Sequence, residues 1–159
     1  MAACRRPRSA ELLLRTLRHQ APDGWLQPLP LELDHPDTLV LAFGASELAD
    51  DPAPLAALAQ AFPRSVLLGC STSGEIAGAQ VHDASISLAV ARFERSRLRH
   101  AVTEVRGAQD SWQAGARLAQ QLLAPELRAV FVLSDGLHVN GTTLVAGLAQ
   151  NLPQGVALS

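Results

Sequence analysis

The sequence predicts a mixed α/β fold: a largely parallel sheet with covering helices and one β-hairpin. Three observations predict it. Residues 38–43, 65–69 and 129–133 are short apolar runs closed by Gly44, by the Gly69 region and by Ser134-Asp135-Gly136, the pattern of strands buried on both faces. Between and after them lie segments whose apolar residues recur at helical spacing. Ile86, Leu88 and Val90 instead alternate with small residues, as a half-buried strand does.

Taken in order, Ser9 is placed to cap a helix running to about His19, with Leu13, Leu14 and Leu17 on one side. Asp23, Gly24 and prolines 22, 28, 30 and 36 then impose an extended connection, so residues 1–37 read as a basic helix and a proline-rich linker ahead of a domain over 38–159. Within that domain, 38–43 is a strand. Asp50 and Asp51 precede Pro52, a favourable first helical residue, and Leu55, Leu58, Ala59 and Phe62 follow on one face until Pro63 stops the helix. The strand 65–69 completes a β-α-β unit with a right-handed crossover.

Residues 70–84 carry no periodicity and read as a loop, and the runs 86–90 and 98–105 read as a hairpin. Asp110 or Ser111 opens a helix bearing Trp112, Ala116, Ala119 and Leu123, ended by Pro125. After the strand 129–133, Asn140 caps a helix with Leu144, Val145 and Leu148, and 156–158 begins another strand. The chain has 159 residues, 48% of them hydrophobic, which is material for one core and one globular unit. Its end inside an apolar run suggests a fragment.

Composition narrows the function. A net charge of -2 argues against non-specific nucleic-acid binding, which needs a clustered cationic surface. Arg5, Arg6, Arg8, Arg15 and Arg18 against Glu11 form a local basic exception, read as a solvated face or terminus. No stretch approaches the ~20 apolar residues of a membrane span, and Arg15 and Arg18 interrupt the only candidate signal core. Cys4 and Cys70 are too far apart in sequence for a disulfide framework, so the expected compartment is reducing and cytoplasmic. His19, His35, His82 and His100 show no metal spacing, and Trp25 and Trp112 are too isolated to form a stacking platform.

Two segments could carry chemistry. Gly69, Cys70, Ser71, Thr72, Ser73, Gly74 and Glu75 gather two glycines, three hydroxyls and a thiol after a strand, the material for an anion-binding nest of backbone N–H groups. A P-loop is excluded, because Glu75 and Ile76 stand where lysine and a hydroxyl residue are required. Asp135, Gly136, His138 and Asn140 also follow a strand, and if strands 65–69 and 129–133 are parallel neighbours both loops line one pocket. Asp135 would accept from a ligand amine, Asn140 offers donor and acceptor, and His138 titrates or ligates. The bland alternatives are a turn at Asp135 and a helix cap at Asn140. An enzyme would pair Cys70 as nucleophile with His138 as base and Asp135 as orienter, yet a lone cysteine after a strand is more commonly a small buried residue. A ligand-free interaction scaffold is the third reading.

Residues 39–44, Phe62 with Pro63, the segment 68–76 and residues 87–93, with Asp135, Gly136 and Asn140, resemble the N-terminal FIST domain from about Leu39 onward. That resemblance implies an intracellular sensory module for a small molecule such as an amino acid, with no catalytic residues and no required cofactor. It also implies a signalling partner such as a histidine kinase and a following FIST C-terminal domain. Some bacterial members of the family sense nitric oxide through haem, for which His138 would be the axial ligand from this half.

Overall fold

A computed structural model of the chain describes residues 12–46 and 51–159. The expected single core is divided: one compact unit ends at Leu98 and a second spans Arg99–Ser159, each with its own apolar cluster. The fold class is mixed α/β, as expected. Ser9, Cys4, Arg5, Arg6, Arg8 and Asp50 lie outside the described residues.

In the first unit five strands form one sheet, in the spatial order β2 (Gly24–Trp25), β1 (Leu12–Gln20), β7 (Ser85–Phe93), β3 (Thr38–Ala45) and β4 (Val66–Thr72). The strand β3, Thr38–Ala45, pairs in parallel with β4, Val66–Thr72, from Leu39 opposite Val66 to Ala45 opposite Thr72. The link is α1, Ala53–Ala61, which follows Pro52 and buries Leu58 completely. This β-α-β unit is where the sequence placed it. Phe62 caps the helix and is 2% exposed, whereas Leu55 at the other end of the expected face remains 38% exposed.

The other pairings are antiparallel, so a largely parallel sheet is not what forms. The strand β7, Ser85–Phe93, lies between β3 and β1 and pairs with both. Val40 and Ala42 on β3, and Ile86, Leu88 and Val90 on β7, bury alternate side chains against Leu58 and Phe62. Each aliphatic side chain so buried contributes about 2 kcal/mol. Thr38 is buried with them, its hydroxyl donating to the Leu33 carbonyl at 2.5 Å.

The residues expected to close a helix at His19 are instead strand β1, Leu12–Gln20, matched to β7 over its whole length from Leu12–Phe93 to Gln20–Ser85. A short β2, Gly24–Trp25, turns back on its end. The expected hairpin of 86–90 with 98–105 is absent for a related reason. Both edges of β7 are taken by β1 and β3, and residues 98–105 form no strand. A hairpin lies earlier, in the supposed loop: β5, Glu75–Ala77, and β6, Gln80–His82, turn about Gly78 at φ +64.

In the second unit, α2, Ser111–Leu122, and α3, Gly141–Asn151, pack through Ala114, Ala119, Leu144 and Leu148. The buried face of α2 is Ser111, Ala114, Gly115, Ala119 and Leu122, while Trp112 and Leu123 are 37% and 45% exposed, so the expected face is rotated. The strand β8, Ala129–Val130, pairs in parallel with β9, Ala157–Leu158, and the Val132 amide continues the ladder to the Ser159 carbonyl at 2.8 Å. Phe131 is 45% exposed, so 129–133 is not buried on both faces.

Candidate functional site

The first candidate segment is mostly strand. The ladder of β4 continues through Gly69, Cys70 and Ser71 to Thr72, so the irregular stretch is confined to Ser73 and Gly74. Gly69 is required by packing, because a Cβ there would collide with the Ala42 carbonyl of β3. Neither Gly69 nor Gly74 has a positive φ, and the left-handed backbone used by an anion nest is therefore not formed here.

Side chains in this segment divide by direction. The Glu75 carboxylate is 1% exposed and turned inward: Oε1 accepts from the Thr72 hydroxyl at 2.7 Å, and Oε2 accepts from the Ser85 hydroxyl at 2.8 Å and the Ser85 amide at 3.2 Å. Thr72 and Glu75 thus tie the root of the hairpin to β7. Cys70, Ser71 and Ser73 are exposed at the carboxyl end of the parallel pair β3–β4, Cys70 and Ser71 on opposite faces of the strand. Among the described residues, the hydroxyls of Ser71 and Ser73 make no hydrogen bond to the protein. Cys70 is exposed, contrary to the expectation of a small buried residue.

The second candidate segment belongs to the other unit and has its own geometry. Asp135 Oδ1 accepts from the Leu137 amide at 2.6 Å and the His138 amide at 3.3 Å, the Asx turn anticipated as the bland alternative. Its Oδ2 lies 2.7 Å from His138 Nδ1, and this hydrogen bond, seconded by the two amides, holds the Asp135 carboxyl below the ordinary carboxylate range. His138 is 70% and Asp135 52% exposed at the side chain. Asn140 is the N-cap of α3, its Oδ1 accepting from the Thr143 amide at 3.0 Å while its own amide donates to the buried Ser111 hydroxyl at 3.0 Å. Gly136 is exposed in open space.

The pairing on which a shared pocket depended is not observed. The strand β4 pairs with β3, and β8 pairs with β9 in a separate sheet.

Several polar clusters have no short-range sequence signature. Arg117 donates through Nη1 and Nη2 to Asp110, at 3.1 and 3.0 Å, through Nη2 also to the Glu104 carbonyl, and through Nε to the Thr103 hydroxyl. These residues, with Val102 and Arg106, line a cleft of about 430 Å³. The Arg117 guanidinium, followed by the Arg106 amide, holds the Asp110 carboxyl below its ordinary range. In the first unit, Asp37 lies within 4 Å of His35, Arg92 and Arg97. Among the described residues no group of three His, Cys, Asp or Glu side chains gathers to hold a metal, and no helix is long and apolar enough to cross a membrane.

Comparison with known proteins gives one match. A family model described as the FIST N domain matches residues 38–158. No curated protein and no solved structure matches the chain.

Proposed function

This chain belongs to the FIST family, a family of signal-transduction sensor domains, and from that premise we propose that it binds a small polar ligand, amino acid-like in character, and is not an enzyme. The observation that carries the reading is the pair of exposed hydroxyls, Ser71 and Ser73, at the carboxyl end of β3–β4, where open α/β sheets take their ligands. Hydroxyls with no internal partner are donors and acceptors available to a ligand's carboxylate and amine. Asp135, His138 and Asn140 are a second proposed contact set within their own unit, in which the ionised Asp135 suits an ammonium group. A histidine kinase or comparable signalling protein, and a FIST C-terminal domain, are the proposed partners, in a cytoplasmic setting.

Calorimetric titration and thermal shift with the standard amino acids test this. Binding to the folded chain raises the melting temperature by mass action, about 2.7 kcal/mol of stabilisation at a hundredfold excess over Kd. The double substitution Ser71→Ala, Ser73→Ala is expected to abolish the shift while leaving far-UV circular dichroism unchanged. Silence across all the amino acids, or undiminished binding by the double variant, overturns the assignment.

Exposure of the Cys70 thiol favours one alternative, a cysteine-dependent amidase or transferase. His138 and Asp135 form a base–orienter pair, and Cys70 belongs to the other unit. Rapid labelling of Cys70 at neutral pH, with an activity lost in Cys70→Ser, would support the enzyme; slow labelling and unchanged ligand response in that variant support the sensor. For haem, His138 offers a ring nitrogen whose partner nitrogen is fixed by Asp135. The flanking Leu137 is 91% exposed and the segment is an open turn, so residues 134–140 do not fit a macrocycle that needs apolar walls.

A further inference from the structure

The β5–β6 hairpin is fastened to its unit at three places, one of them midway along β5, where the Ser87 hydroxyl of β7 donates to the Ile76 carbonyl at 2.8 Å. At the root, the buried Glu75 carboxylate holds Thr72 and Ser85. At the far strand, the Arg18 guanidinium of β1 meets His82 Nδ1, and the Gln20 amide donates to the carbonyls of Asp83 and Ala84. Its apolar cross-strand pair, Ile76 and Val81, is 68% and 69% exposed. Little hydrophobic cover therefore holds the hairpin down, and its docking rests on polar contacts.

A guanidinium donates only and stays charged throughout the accessible pH range. The Arg18–His82 contact accordingly requires a lone pair on Nδ1, that is, a neutral imidazole carrying its hydrogen on Nε2. Protonation turns that acceptor into a donor and sets two cations against each other. We propose that the hairpin is a proton-operated strap, closed onto β1 while His82 is neutral and released when His82 takes up a proton.

The charged side chains around His82, among the described residues, are Arg18 from β1, Glu75 opposite it on β5, and the exposed Asp83. The strands β3 and β7 bring no charged residue to this end, Arg92 lying at the far end of β7. Glu75 already accepts three hydrogen bonds, so it cannot take over the imidazolium without giving up the root of the hairpin. Val81 also packs on Gly74, where a Cβ would stand 3.3 Å from Val81 Cγ1. Release of the strap thereby loosens the ligand-binding segment, a consequence that rests on the function proposed above.

Hydrogen–deuterium exchange of the full chain at about pH 8 and about pH 5, the interval in which histidine acts as a switch, tests the strap without a ligand. After correction for intrinsic exchange, protection of residues 75–84 is expected to fall about tenfold or more at the lower pH while β1, β3 and β7 keep theirs. In His82→Gln, whose amide oxygen accepts from Arg18 at either pH, protection stays constant. Arg18→Gln removes the like charge and is expected to lose the pH response as well, which keeps the test intact if one variant folds poorly. Equal protection at both pH values in the unaltered chain, or a pH response that survives in His82→Gln, overturns the strap. A failed ligand screen leaves this outcome untouched, and a failed exchange test leaves the ligand assignment standing.

Discussion

Glu75 illustrates what a residue's identity alone conceals. Its place in a row of glycines and hydroxyls suggested a ligand contact, but the partner that explains it, Ser85, lies ten residues on and is brought near only when the hairpin folds. Glu75→Ala strands the Thr72 and Ser85 donors around a small void, and hydrogen bonds to a charged group are the stronger kind, so a loss of about 3 kcal/mol is expected in urea unfolding. Glu75→Gln keeps the shape and one acceptor and should lose about half as much. Asn140 was legible in both its readings, since an asparagine before an apolar helical pattern is a cap by local chemistry. The exposure of Cys70 was not, because a strand reads as buried until its sheet is known to end there.

At the scale of elements, local pattern succeeded where the partner was close in sequence. Helix α1, its two flanking strands and helix α3 sit where spacing, Pro52, Pro63 and Asn140 placed them. It failed at β1, where Leu13, Leu14 and Leu17 fit a helix as well as a strand; the pairing with β7, more than sixty residues away in sequence, decides between them. Long-range pairing outweighs a weak local preference. The close approach of α2 and α3 is illegible in the sequence for another reason, since it depends on glycines as well as on the apolar side chains. A Cβ on Gly147 would enter the Trp112 carbonyl, and one on Gly115 the Leu144 carbonyl. Gly147→Ala normally strengthens a helix by almost 1 kcal/mol, but here backbone must yield on both sides. A net destabilisation of about 2 kcal/mol is expected, with Val145→Ala, exposed on the same helix, as the control that stays near neutral.

Across the whole molecule, apolar content predicted one core and the chain builds two, because composition does not reveal how contacts partition. A property that does sum over both units is the dependence of stability on pH. His19 of β1 has its pKa lowered from the ordinary 6.5 by burial, partly opposed by Asp51, and its buried Nδ1 has no hydrogen-bond partner. The unfolded chain therefore binds more protons than the folded one just below pH 6.5, and stability must decline as pH falls through that interval. Asp110 and Asp135 are lowered from 3.8 by Arg117 and His138, so their contributions are complete above 3.8 and fade as pH falls below it. Unfolding free energy should thus be level above about pH 6.5, fall along one limb below it, and fall along a second below about pH 4. His19→Phe preserves the edge-on packing against Trp25, at 5.2 Å between ring centres, and removes both the proton site and the unpaired nitrogen. Urea unfolding of that variant should therefore show a shallower first limb and an unchanged second one, with stability near pH 8 equal to or about 1 kcal/mol above that of the unaltered chain. A first limb of undiminished depth would mean that burial of His19 is not what couples this fold to protons.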